Sequence, residues 1–258
     1  MLVVVILSIV QGLSEFLPIS SSAHLLITPW LFNLANPGLS FDAAIHLGTA
    51  AALVIYFYRD FIKLFKAKSP LIKYILIATI PGALIGFFGE RWIDSNFHEA
   101  SYAPLVVGIT MIIFSVVLYI ADKTDLQKIT TKNIGLKKSL FIGFAQALAF
   151  IPGVSRSGAT ITAGLFMGLK REEAARFSFL LATPITIAAG AYKALGVITH
   201  PGDVSILQLI VGIVISAIVG IVVIKWLLGY LNRHTMEIFV IYRLIFGAVV
   251  ISVWLLQR

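Results

Sequence analysis

The sequence predicts an all-α polytopic membrane protein with six transmembrane helices and two re-entrant helical hairpins, arranged as an inverted-topology repeat. Three observations predict it. The 258 residues are 59% hydrophobic and 12% charged, about half the charged fraction of a soluble domain, and the mean hydropathy is +0.97. Several apolar runs are long enough to cross a bilayer. The loop cations are concentrated in alternate connections between those runs. A water-soluble domain and a disordered chain are thereby excluded. So is a β-barrel, because stretches such as 105–120 do not alternate apolar with polar residues. The chain has no cysteine, which removes disulfides and thiolate metal sites. Its first residues, MLVVVILSIVQ, lack the basic region of a signal peptide and are read as part of the mature structure.

The spans fall at 41–58, 71–88, 104–120, 177–197, 206–228 and 238–255. Loops 59–70, 121–138, 169–176 and 229–237 hold thirteen Lys and Arg residues between them, whereas Arg91 and Arg258 are the two in the remaining connections and ends. The positive-inside rule places the thirteen in the cytoplasm and both termini outside. The net charge of +8 is then an orientation signal and a contact with anionic lipid heads, and no nucleic-acid partner is needed.

Alternation leaves two apolar stretches that must return to the side they start from. Residues 1–40 are broken at Pro18 and Ser20-Ser21-Ser22, and residues 139–168 at Pro152-Gly153 and Ser157-Gly158. Both are predicted as re-entrant hairpins, tolerated at membrane depth only where protein or a watery cavity covers them. One membrane domain, 1–258, then divides into two repeats, 1–120 and 139–258. At an offset of 135, Gln11, Leu13 and Ser20 coincide with Gln146, Leu148 and Ser155. At 134, Pro81–Gly86 faces Ile215–Gly220. Three spans is an odd number, so the second copy must insert upside down, and such repeats place a polar site where the two breaks meet.

Ionisable residues inside a membrane are costly and point to function. Gln11 and Glu15, spaced i, i+4, share a helix face and offer oxygens to a hard cation such as Mg2+ or Ca2+. Ser21 and His24, spaced i, i+3, share a face if a helix restarts at Ser20, and a serine beside an imidazole is a candidate activated nucleophile. In the second break, Ser155, Arg156, Ser157, Gly158 and Thr160 combine free backbone N–H groups, hydroxyls and a guanidinium suited to phosphate. The competing structural reading of Arg156 is a salt bridge to Glu15 that ties the hairpins together. That of Ser20 and Ser22 is helix capping. His24 also reads as a hydrogen-bonded core histidine. His46 and Thr49 are read as cavity-lining or helix-bonding residues, and Asp42 as a candidate metal ligand. Arg243, Lys73, Lys193 and Lys225 are read as snorkelling to the interface. Gly164, Gly168, Gly212 and Gly220 are read as close-packing positions.

These residues carry a resemblance. QGLSEFLPISSSAH (11–24) and PGVSRSGAT (152–160), with FSFLLATP (177–184) and IYR (241–243), resemble the signatures of the undecaprenyl-diphosphatase (bacitracin-resistance) family of integral membrane phosphatases, over nearly the whole chain. The resemblance implies a hydrolase that removes the terminal phosphate of a polyprenyl diphosphate and recycles the lipid carrier of cell-wall sugars. It also implies a site on the outer side of the cytoplasmic membrane and dependence on a divalent cation. It puts the family's acidic motif on Gln11 and Glu15 and its essential serine and histidine on Ser21 and His24. Its phosphate-binding groups fall on Ser155, Arg156, Ser157 and Thr160. Many members have glutamate where this chain has Gln11, several have glycine where it has Ala23, and its loop 59–70 is short. The expected mechanism has Ser21 attack with His24 as base, or His24 attack with Ser21 positioning it. The expected partners are the polyprenyl diphosphate and membrane lipids, and a homodimer stays open. The rival function is a transporter or flippase of a lipid phosphate, an architecture that also uses inverted repeats.

Overall fold

A computed structural model describes residues 1–32, 38–93, 102–124, 126–199 and 204–257, with backbone alone at 39, 90–93 and 192–199. The described residues form ten α-helices and no strand, with one isolated parallel bridge between Ile129 and Leu169. Six helices are long and apolar enough to cross a membrane: α3 (Leu39–Lys66), α4 (Pro70–Ile93), α5 (Ala103–Asp122), α8 (Arg171–Thr199), α9 (Ile206–Leu231) and α10 (Glu237–Leu256). They match the six predicted spans. The main departures are α3, which continues past residue 58 through Arg59 and Lys63, and α8, which begins at Arg171 rather than at 177.

The other four helices are short: α1 (Leu2–Ser14), α2 (Ser21–Phe32), α6 (Gly135–Ala147) and α7 (Arg156–Phe166). At 1.5 Å per residue none is longer than about 20 Å, too short to cross the ~30 Å hydrocarbon layer alone. They come as two broken pairs, α1–α2 and α6–α7. The second pair opens at Gly135, four residues before the predicted start of its repeat at 139, because Gly135 (φ 70°) begins the helix directly after the turn Thr131–Asn133.

The two breaks are closed by the same device. Ser20 and Ser155 are non-glycine residues in the left-handed region, at φ 74° and 73°. Each Oγ accepts from the backbone N–H three residues on, Ala23 at 3.4 Å and Gly158 at 3.0 Å, which satisfies one orphan donor of the restarting helix. Each also pairs with the hydroxyl two residues on, Ser22 at 3.2 Å and Ser157 at 3.1 Å.

Packing joins the halves crosswise. The short helix before each break lies on a long helix of the other half, α1 on α9 and α6 on α4. A phenylalanine of each break presses on a glycine across that contact. A Cβ on Gly220 would stand 2.7 Å from Phe16 Cε2, and one on Gly86 would stand 2.6 Å from Phe150 Cζ. Gly164 and Gly212 are close-packed in the same way, whereas Gly168 (φ 90°) turns the chain out of α7. At the loop end, Arg176 pairs with Asp60, and Arg171 Nε donates to the buried Asp122 Oδ1 at 2.5 Å. Asp122 Oδ2 also accepts from Met236 N–H at 3.1 Å, and Lys123 pairs with Glu237 at 2.6 Å, so several of the thirteen loop cations tie helices together. Lys73 and Lys225 are exposed, in keeping with snorkelling, and the side chain of Lys193 lies outside the described residues.

One of the close helix contacts is α3 against α9. A Cβ on Gly48 would lie 2.0 Å from Ser216 Oγ and 2.4 Å from the Ile213 carbonyl. Gly48→Ala is expected to destabilise the protein by about 1–3 kcal/mol. Gly229→Ala, at a helical position with nothing within 4 Å of the added carbon, is expected to be neutral or stabilising. Thermal melting of the two variants in detergent checks the contrast.

Candidate active site

The breaks bring distant residues together around one cavity of about 230 Å³. Its polar lining is Glu15, Ser20, Ser21, Ser22, His46, Gln146, Ser155, Arg156 and Thr186, and its apolar lining is Ala149, Phe150, Ile185, Ala189 and Gly190. The polar part comes mainly from helix ends. Glu15 caps the C-terminus of α1, Ser21 opens α2, and Arg156 opens α7.

Glu15 is the hub. Its Oε1 accepts from Arg156 Nη2 at 2.5 Å, and its Oε2 accepts from Ser21 Oγ at 2.6 Å and from Gln11 Nε2 at 3.0 Å. Arg156 also donates through Nη1 to Thr186 Oγ1 on α8. Arg156 and Glu15 are 141 residues apart, and their side chains are 20% and 8% exposed. The ion pair read from the sequence as a structural tie is therefore present, and it lies on the cavity wall. Removing one partner of such a pair strands a buried charge. An incoming anion can replace the carboxylate on the guanidinium without stranding it.

Ser21 and His24 do not meet in the way their spacing suggested. The imidazole is 8% exposed and does not line the cavity. Its Nδ1 lies 2.7 Å from the Ser20 carbonyl and its Nε2 lies 2.5 Å from Tyr242 Oη. A carbonyl only accepts, so Nδ1 carries the proton and Nε2 accepts from the tyrosine. Phe246 stacks on the ring at 4.5 Å between centroids. A shared helix face at i, i+3 did not decide the ring's direction, because Tyr242 and Phe246 of α10 supply partners away from the cavity. The group that accepts from Ser21 Oγ is Glu15.

The phosphate-binding set also divides. Ser155 and Arg156 line the cavity. Ser157, 3% exposed, donates to the Leu17 carbonyl at 2.9 Å and so joins the two breaks. Thr160 bonds the Arg156 carbonyl at 2.8 Å and Ser178 Oγ at 2.6 Å. Gly158 N–H is taken by Ser155 Oγ. Buried backbone polar groups need internal partners, and these three residues hold the loop in place of facing a ligand. His46 lines the cavity, with Nδ1 on the Asp42 carbonyl at 2.7 Å, while Asp42 is not in the lining. Thr49 bonds the His46 carbonyl at 3.0 Å.

Arg243 reverses its reading most fully. It is 1% exposed and does not snorkel. Its guanidinium donates to Met111 O at 3.3 Å, Pro18 O at 2.9 Å, Gly153 O at 2.9 Å, and Val154 O at 3.2 and 3.1 Å. It thus binds carbonyls from both breaks, and among the described residues no carboxylate pairs with it. Thr186, Gln146 and Tyr242 were also missed as site-lining or site-holding residues. Tyr242 and Arg243 had a signal, since adjacent polar side chains inside an apolar span call for partners. A threonine on a long helix, like Thr186, carries none.

A hydroxyl held on a carboxylate beside a cavity-facing guanidinium, between broken helices of a multi-pass bundle, defines a membrane protein with chemistry suited to an anion at its cavity. The family model described as bacitracin resistance protein BacA matches residues 4–249, and the chain belongs to that family. It is 43% identical over 261 residues to the undecaprenyl-diphosphatase of Desulforudis audaxviator, covering 98% of this chain and 97% of that one. It is 41% identical to the undecaprenyl-diphosphatase of Moorella thermoacetica, covering 98% of each. It is 44% identical to that of Pelotomaculum thermopropionicum, covering 95% and 94%.

Arg243→Met leaves up to four buried carbonyls without a donor and is expected to cost about 3 kcal/mol or more. Arg243→Lys keeps the charge but not the planar fork and is expected to recover only part of the loss. Melting curves in detergent report both. A lysine variant as stable as wild type would show that charge alone suffices.

Proposed function

We propose that this chain hydrolyses the terminal phosphoanhydride bond of undecaprenyl diphosphate, giving the monophosphate and inorganic phosphate, and so recycles a lipid carrier for cell-wall glycan synthesis. One observation carries the reading: Ser21 Oγ, the Glu15 carboxylate and the Arg156 guanidinium converge on the wall of one cavity. The curated relatives carry the same activity in their names.

In this reading Arg156 exchanges Glu15 for the oxygens of the terminal phosphate and offsets the charge that builds there. Glu15, already accepting the Ser21 hydrogen bond at 2.6 Å, takes the proton as Oγ attacks the terminal phosphorus. The bond from that phosphorus to the bridging oxygen breaks, and the bridging oxygen departs on the lipid monophosphate. Glu15 passes its proton to the departing phosphate, then takes one from an attacking water. The phosphorus–Oγ bond breaks, inorganic phosphate leaves, and Glu15 returns the proton to Ser21. His24 acts at one remove. Its bonds to the Ser20 carbonyl and Tyr242 set the start of α2, and with it Ser21.

Gln11 Oε1 is a buried oxygen without a hydrogen-bond partner among the described residues, on the side chain that touches Glu15. Among the described residues no three His, Asp or Glu side chains cluster as ligands. Mg2+ is commonly held by one or two carboxylates with the substrate's own phosphates completing the shell. Glu15 and Gln11 therefore suit a divalent cation, Mg2+ or Ca2+, that would neutralise charge on the diphosphate.

The proposal extends to placement. The thirteen loop cations support a cytoplasmic side opposite the breaks, with the site and both termini toward the outside of the cytoplasmic membrane. The matched breaks at Ser20 and Ser155, and the crosswise pairs Phe16–Gly220 and Phe150–Gly86, support two re-entrant hairpins in oppositely inserted repeats.

Purified protein in detergent, given undecaprenyl diphosphate and Mg2+ or Ca2+, is expected to release phosphate, and a chelator is expected to stop it. Ser21→Ala and Glu15→Gln are each expected to lower kcat by about a thousandfold or more. Tyr242→Phe is expected to cost less than about tenfold. Full activity in Ser21→Ala would rule out the nucleophile assigned here.

A further inference from the structure

The cavity holds a polar group that the reaction above leaves unused. Gln146 stands near the C-terminal end of α6, is 2% exposed, and lines the cavity with Arg156. Among the described residues neither its Oε1 nor its Nε2 has a hydrogen-bond partner. A primary amide brings two donors and an acceptor, and leaving them unpaired in a buried place is costly. Packing does not call for an amide here, because methionine has nearly the same length and no such cost.

The surroundings indicate what the amide faces. Gly82 of α4 makes room for it, since a Cβ there would lie 3.0 Å from Gln146 Nε2 and 3.3 Å from Ile185 Cδ1. One turn further along each chain segment, Phe150 presses on Gly86. Gln146 therefore shares a cavity whose lining is polar at Glu15, Ser21 and Arg156 and apolar at Phe150 and Ile185, and its Nε2 lies beside Ile185. A lipid diphosphate has the same polarity gradient. With its terminal phosphate at Ser21 and Arg156 and its isoprenoid toward the apolar wall, the ester-linked phosphate falls at the boundary. The matching residue of the first half is already engaged. Gln11 lies nine residues before Ser20, as Gln146 lies nine before Ser155, and its Nε2 is bound to Glu15 at 3.0 Å.

Resting on the phosphatase reading, we propose that Gln146 contacts the substrate: its amide N–H groups donate to the non-bridging oxygens of the ester-linked phosphate, and Oε1 accepts from water bound there. The residue thereby selects a diphosphate over a simple phosphate ester. The ester-linked phosphate does not react, so the contact is made equally in the ground and transition states. Its loss raises KM and leaves kcat nearly unchanged.

The test uses the full chain in detergent with undecaprenyl diphosphate and added Mg2+ or Ca2+. Gln146→Met is expected to raise KM by about 10- to 100-fold with kcat within about threefold. It is also expected to weaken inhibition by the lipid monophosphate, which keeps only the ester-linked phosphate, and to melt at or above the wild-type temperature. Gln146→Glu puts a carboxylate against the diphosphate and is expected to raise KM further. A wild-type KM in Gln146→Met, a loss confined to kcat, or a fall in melting temperature in both variants overturns the assignment. Wild-type protein that releases no phosphate sinks the phosphatase reading and this inference with it. Wild-type turnover beside an unchanged Gln146→Met sinks the amide's role alone.

Discussion

Interrupting a helix inside a packed bundle of apolar helices frees buried backbone groups that have no water to turn to, and the shape of this site follows from how those groups are satisfied. One donor at each restart is taken by a serine in a left-handed backbone conformation, Ser20 and Ser155. The carbonyls left by the two breaks, those of Pro18, Gly153 and Val154, converge on one guanidinium, that of Arg243. Their dipoles replace water around a charge that has no carboxylate partner among the described residues. A single side chain from α10 thus sets the spacing of two loops that are distant in sequence, and Ser157, bonded to the Leu17 carbonyl, adds a second tie.

The breaks have a chemical use because reactive groups can be placed at their ends. A continuous helix would keep Ser21 and Arg156 in its flank, with their backbone N–H groups occupied. Broken, it presents both at a first turn, facing the carboxylate at the end of α1. Glu15 then meets a hydroxyl through one oxygen and a guanidinium through the other. The pair satisfies both charges, which is what a buried pair requires. It also gives an incoming phosphate a place to exchange.

The two halves solve the same packing problem with different chemistry. The caps at Ser20 and Ser155 and the crosswise Phe–Gly contacts are shared. The side chains at corresponding positions are not. Ser21 stands where the second half has Arg156, and Glu15 stands where it has Phe150, at offsets of 135. One break therefore carries a hydroxyl and the carboxylate that accepts from it, and the other carries the guanidinium and an apolar wall. The asymmetry gives the cavity a polar floor and a greasy side.

The sequence by itself determined the helical class, the six spans, the two breaks and the acidic and cationic residues at them. Each of these rests on local composition, on periodicity, or on the cost of burying charge, all of which are written along the chain. The tertiary structure alone decided directions and partners. It turned His24 onto Tyr242 and away from Ser21, and it drew Arg243 inward where its place near a span's end suggested an outward reach. It also sent Thr160 to Ser178 and brought Thr186 to Arg156. The physical reason is common to all four: a side chain's direction depends on which donors and acceptors other helices place within reach, and those helices are separated from it by tens to hundreds of residues.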